Sequence, residues 1–113
     1  MPKVKINKRS TFINHLGCSL LPYILLHEIE LKPMCLYRLR QFINKKYKFN
    51  LTLSTYQSVL NSLLKLKYLT KDNNNNYNSN NKKLYYITNE GILAKRSMNI
   101  DFVPLLKILL NNN

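Results

Sequence analysis

Glycine is nearly missing from this chain: Gly17 and Gly91 are the only two in 113 residues. A Gly-rich loop that cradles a phosphate on backbone amides therefore has nowhere to form. Acids are almost as scarce. The five are Glu28, Glu30, Asp72, Glu90 and Asp101; they are scattered, and no carboxylate pair is set up for acid–base chemistry. The two cysteines, Cys18 and Cys35, stand at a spacing that matches no metal or redox motif, and in a Lys-rich chain they point to a reducing compartment. His15, Cys18, His27 and Cys35 lack the paired spacing of a zinc site, so buried or surface roles are expected and no metal. No catalytic constellation emerges, and neither an enzyme nor a cofactor is expected.

Long apolar runs are lacking too. LLPYILL is too short to span a bilayer. It follows the basic KVKINKRS in the order of a secretory signal, yet His27, Glu28 and Glu30 come next instead of a small-residue cleavage site. The expectation is an intracellular protein with no membrane role.

Positive charge is abundant. Eighteen Lys and Arg against five acids give a formal net charge of +13 and a pI near 9.9. This imbalance calls for a polyanionic partner, nucleic acid first and an anionic membrane surface second. The length allows one domain with a single modest core.

The organising stretch is Leu51 to Leu69, LTLSTYQSVLNSLLKLKYL. Tyr56, Val59, Leu60, Leu63 and Leu64 recur at the spacing of a buried helical stripe. Ser54, Thr55, Gln57, Ser58, Asn61 and Lys65 face outward without a single acid. An ordinary solvated helix favours Glu–Lys pairs at i, i+4, whereas short hydroxyls and amides suit close approach to base edges in a major groove. Thr52 or Ser54 is the expected N-cap.

Ahead of it, residues 1–9 form a basic arm expected to be mobile. Ser10 or Thr11 caps a first helix from Phe12 to Glu28, with Phe12, Leu16, Leu20, Ile24 and His27 along one side. Pro22 inside it predicts a kink or a true start near Ser19. A second helix from Met34 to Asn44 buries Leu36, Leu39, Phe42 and Ile43 and exposes Arg38, Arg40, Lys45 and Lys46. Beyond the central helix, Leu66–Lys71 and Lys83–Thr88 read as strands. The Asn-rich DNNNNYNSNNKK joins them as a polar tip, Asn73–Asn81, expected to be disordered. Asn89 caps a helix from Glu90 to Met98, and Asp101 caps a further piece with Pro104 in its first turn.

Helix, helix, helix, hairpin, helix is the order of a winged helix. LLHEIELKPMCLYRLRQFI resembles the opening of PadR-family transcriptional regulators through Pro33, Tyr37 and Leu39. LTLSTYQSVLNSLLKLKYLTKD resembles their recognition helix and first wing strand through Thr55, Leu60 and Leu63. KKLYYITNEG resembles the second wing strand and Thr-x-x-Gly helix entry through Tyr85, Thr88 and Gly91. The likeness covers roughly Leu20 to Lys95. Where the family commonly has Gly after the turn proline and at the end of the recognition helix, this chain has Met34-Cys35-Leu36 and Lys67. A non-Gly residue must then terminate the helix, at a modest energetic cost. The resemblance also implies that Tyr37 donates to a phosphate, and it allows a small-molecule effector at a dimer interface that no residue here locates.

The expected fold is mainly α with a small β-hairpin wing. The basic arm 1–9 precedes a winged helix-turn-helix domain 10–89, and 90–113 forms a C-terminal dimerisation helix. The expected activity is sequence-specific binding of double-stranded DNA by a homodimeric regulator. Ser54, Thr55, Gln57, Ser58 and Asn61 read bases; Lys65, Tyr37 and the arm hold phosphates. The wing, with Tyr77, Lys82 and Lys83, lies on the backbone or minor groove. Leu105, Leu106, Ile108, Leu109 and Leu110 pair two copies and set half-site spacing. The alternatives are sequence-indifferent architectural or partition binding, and a winged-helix protein–protein adaptor, which would favour acids on the recognition face. Such a regulator would sit with the DNA, in the cytoplasm or nucleoid of a prokaryote or in a nucleus.

Overall fold

The computed structural model describes residues 2–72 and 83–111, the stretch 2–13 as backbone alone. In chain order the elements are α1 (Pro2–Leu31), α2 (Leu36–Tyr47), α3 (Leu53–Lys65), β1 (Leu69–Lys71), β2 (Tyr85–Ile87) and α4 (Asn89–Asn111). The mainly helical chain with one antiparallel hairpin is the winged-helix arrangement that the sequence predicts. The Asn73–Asn81 tip lies outside the described residues.

Helix α1 is the spine. It packs on α3, α4 and β2, so its buried surface is wider than one stripe. Leu21, Ile24, Leu25, Leu26 and Ile29 are all buried, joined by the carboxylate of Glu28. This corrects the expected face: Ile24 belongs to it, but Leu16 is 47% exposed and Leu20 and His27 are half-buried. The side chain of Phe12 lies outside what is described. The helix starts at Pro2, well ahead of Ser10, and is continuous through Pro22, so the start expected near Ser19 is not found. Pro22 removes one N–H from the hydrogen-bond ladder, and the packing on both sides of the helix offsets that loss.

Lys32 precedes Pro33 and is biased away from helical backbone by the proline ring. The chain then runs extended through Met34, which forms a bridge with Tyr85 and accepts its N–H at 3.0 Å. Met34 therefore adds an edge to the hairpin instead of opening the second helix, which starts at Leu36. Within α2, Leu39 and Ile43 are buried and Leu36 packs against the core, whereas Phe42 is 41% exposed. Tyr56, Leu60 and Leu63 of α3 close the core from the other side. Fully burying each such side chain contributes roughly 1.5–3 kcal/mol.

Two non-glycine residues adopt left-handed backbone, Lys48 after α2 and Lys67 after α3. At the second, the Lys67 N–H bonds the Leu64 carbonyl and the Tyr68 N–H bonds the Leu63 carbonyl, both at 3.0 Å. This double bond pattern ends α3 at Lys65, just past the last residue of the apolar stripe. The hairpin that follows pairs Leu69 with Ile87, Thr70 with Tyr86 and Lys71 with Tyr85; each strand is only three residues long.

The N-cap of α4 is Thr88, not Asn89. Its hydroxyl accepts the Gly91 N–H at 3.0 Å and donates to the Lys67 carbonyl at 2.7 Å. A β-carbon on Gly91 would be driven into the Tyr68 carbonyl oxygen and the Ile87 side chain. The Thr-x-x-Gly motif is thus the joint between wing and last helix. From there α4 runs unbroken past Asp101 and through Pro104, so the two pieces expected from the sequence are one helix. Lys95 binds Glu30 at 2.7 Å, and the Tyr23 hydroxyl donates to Asn99 at 2.5 Å; both contacts hold α4 against α1.

Candidate nucleic-acid interface

The turn between α2 and α3 is held by one side chain. Asn44 donates from Nδ2 to the Leu51 carbonyl at 3.0 Å, and its Oδ1 accepts the Leu51 N–H at 3.4 Å. The same oxygen accepts the Tyr56 hydroxyl at 2.7 Å. Arg40 adds a bond from Nε to the Leu51 carbonyl at 3.3 Å. Tyr56 is fully buried, and burial pushes its phenol up to about 12, so it stays a neutral donor to Asn44. Thr52 caps α3 by accepting the Thr55 N–H at 3.2 Å, as one of the two expected caps.

With α3 fixed in this way, the predicted readers divide. At 100° per residue, Ser54, Ser58, Asn61 and Lys65 fall within about 40° of one line along the helix, and all four are exposed. Thr55 is turned roughly 100° from Ser54 and its hydroxyl meets that of Thr52 at 3.0 Å; it serves the cap and leaves the stripe. Gln57 borders the stripe, half-buried. It donates to the Asn61 Oδ1 at 3.0 Å and lines the same depression as Tyr85.

Tyr37 opens α2 with its side chain 51% exposed. Together with Gln57, Lys71 and Lys83 it lines a depression of about 240 Å³ between α2, α3 and the wing. Tyr77 and Lys82 lie outside the described residues. The site therefore gathers Tyr37, Gln57 and Lys83 in one place and sets Asn61 beside them. Lys71 belongs there as well, with its ammonium 5.9 Å from the Tyr85 ring centre. The sequence reading passed over Lys71 because it treated the strand only as structure. It passed over Asn44 as well, although an amide in the last turn of a helix, where it can bond neighbouring backbone, is a recognisable signal.

Behind the site, Glu28 accepts from Lys46 Nζ at 2.8 Å and from the Tyr47 hydroxyl at 2.7 Å. Burial alone would raise its carboxyl, but these two hydrogen bonds and the Lys46 charge outweigh it and hold the group below the usual range. Burial and the bond to Glu28 push Tyr47 upward. Lys46 is exposed, as expected, and is also tied to α1 through this carboxylate. Leu105, Leu106, Ile108, Leu109 and Leu110 are between 39% and 77% exposed, and Leu93 and Ile100 earlier in α4 are exposed as well. Among the described residues no three His, Cys, Asp or Glu side chains come together as a metal site, and no helix is long and apolar enough to cross a membrane.

No protein-family model and no curated protein sequence matches the chain. Its structure is similar to the crystal structure of a PadR family transcriptional regulator from Eggerthella lenta DSM 2243. The TM-score is 0.74 at 20% sequence identity, covering 98% of this chain and 99% of that one. At that identity the likeness speaks for the architecture, and it extends past the winged helix to the long last helix: the chain has a PadR-like winged-helix fold.

Proposed function

We propose that this chain is a transcriptional regulator that binds double-stranded DNA as a homodimer. The observation that carries the reading is the acid-free stripe of Ser54, Ser58, Asn61 and Lys65, exposed on a helix that Asn44 and Thr52 lock in place. An α-helix of this kind fits the major groove, and short polar side chains reach base edges from it. Lys65 ends the stripe, and Tyr37, Lys71 and Lys83 lie beside it as further phosphate-binding groups. The structural relative is a transcriptional regulator by description, which supports the same reading. The exposed leucines of α4 supply the second surface, on which two copies pair and present two recognition helices to a pseudo-palindromic site.

The test is selection of duplexes from a random pool, followed by salt titration on the enriched site and a scrambled one. An enriched motif with two related halves is the expected result; failure to enrich any sequence while retaining affinity would assign the protein to architectural binding. Lys83→Ala should weaken binding to both duplexes alike and reduce the slope of log K against log salt by about one, as loss of a single phosphate contact does.

A further inference from the structure

Three depressions lie side by side across the surface of α2, each sharing a lining residue with the next. The first holds Tyr37 with Gln57, Lys71 and Lys83. The second continues from Tyr37 over Arg40, Gln41 and Lys45. The third shares Gln41 and Lys45 and reaches Arg38, Lys46 and Lys32 at the end of α1, a cleft of about 490 Å³. Every charged side chain lining this track is a cation except Glu28. Glu28 is buried and already holds Lys46 and Tyr47, so Lys32, Arg38 and Lys45 keep an uncompensated positive field. Base reading by α3 and the wing uses only the first depression. The cations beyond Tyr37 have no part in it.

We infer that DNA flanking the recognised site lies against the α1–α2 cleft, on Lys32, Arg38 and Lys45. This rests on the DNA-binding reading above. The occupant is argued from adjacency and charge: the depressions follow one another from the wing to Lys32, each sharing a lining residue with the next, and a duplex is a partner whose charge repeats along such a path, one phosphate per roughly 1.7 Å of axis. Tyr37 and Arg38 project about 100° apart around α2. DNA that follows both passes over α2 toward the end of α1, and on this inferred path the site is bent.

The experiment compares two labelled duplexes that carry the same enriched site, one of about 15 base pairs and one of about 30, a length difference that spans many further phosphates. Wild-type protein should bind the longer one about tenfold more tightly, with a salt slope steeper by about 2 to 3 units for three added contacts. A variant with Lys32→Gln, Arg38→Gln and Lys45→Gln should bind the short duplex as wild type does and lose the advantage on the long one. Circular dichroism of the variant confirms the fold, and energy transfer between the ends of the long duplex should report a shorter distance with wild type only. Equal affinity of wild type for both lengths, or an advantage that survives in the variant, overturns the flanking contact and leaves base reading by α3 standing. Absence of binding to either duplex overturns both.

Discussion

The side-chain amide of Gln57 donates to the Oδ1 of Asn61 across one turn of α3 at 3.0 Å. Gln57 is thus committed to Asn61, whereas Asn61 keeps its NH₂ group and one lone pair for a bidentate contact with adenine. Asn61→Ala should cost roughly 1–3 kcal/mol on the preferred site and far less on scrambled DNA. Gln57→Ala acts through the orientation of Asn61 and should cost less. Titration of both variants on the two duplexes checks the order. Equal losses on both sequences would mean that α3 does not read bases.

Stability should depend on pH through Glu28. Burial works to raise its carboxyl, but the hydrogen bonds from Lys46 and Tyr47 and the Lys46 charge hold it below the usual carboxylate range. A lowered folded-state pKa means the unfolded chain binds the proton more readily. The contribution is therefore complete above about pH 4.5 and is lost as the pH falls through the folded value. Glu28→Gln should cost about 1–3 kcal/mol at neutral pH and flatten the stability profile on the acid side of the ordinary glutamate range. Denaturant titrations across that window measure both effects.

Glycine and lysine substitutions at the two ends of the wing should have opposite signs from ordinary expectation. Inside a helix Gly→Ala usually stabilises by roughly 0.5–1 kcal/mol. Gly91→Ala should destabilise by about 1–3 kcal/mol instead, because the new methyl meets the Tyr68 carbonyl. Lys67→Gly should stabilise by up to about 1 kcal/mol, since Lys67 has a φ of 66° and only glycine adopts that conformation freely. Thermal melts of the two variants decide it.

Assembly should follow from α4. Leu106→Glu places a charge in the apolar surface and should convert a dimer of twice 13.4 kDa to monomer in light scattering behind size exclusion. Affinity for a two-half site should fall with it, as two linked half-sites bind by effective concentration. A wild-type protein that is monomeric at tens of micromolar would end this proposal.

The helices, the hairpin and their order were legible because the 3.6-residue pattern and the strand composition are local signals. Tyr56, Leu60 and Leu63 are buried as their spacing predicts, and Lys67 takes the left-handed turn that the missing glycine requires. Where α1 faces was not legible: three elements pack around it, and a one-sided stripe is the wrong template for a central helix. Nor were the ends of elements. Met34 joins the hairpin through a backbone bond to Tyr85, fifty-one positions away in the chain, and no local pattern carries such a contact. Thr55 is a different case: its hydroxyl meets the cap residue Thr52 three positions back, a local contact that turns it from the stripe.

The tight seat of Gly91 on Tyr68, with Thr88 bonded to both sides of it, makes the start of α4 stiff. Stiffness there works as the pivot of a lever. A helix of 23 residues extends roughly 34 Å at 1.5 Å per residue, so a tilt of about 5° at its base moves the far end by about 3 Å. In a pair of chains clasped through α4, that displacement approaches the 3.4 Å rise of one base pair. A loosened pivot would let the spacing between the two recognition helices drift by about a base pair, and the protein would lose its ruler before it lost its fold.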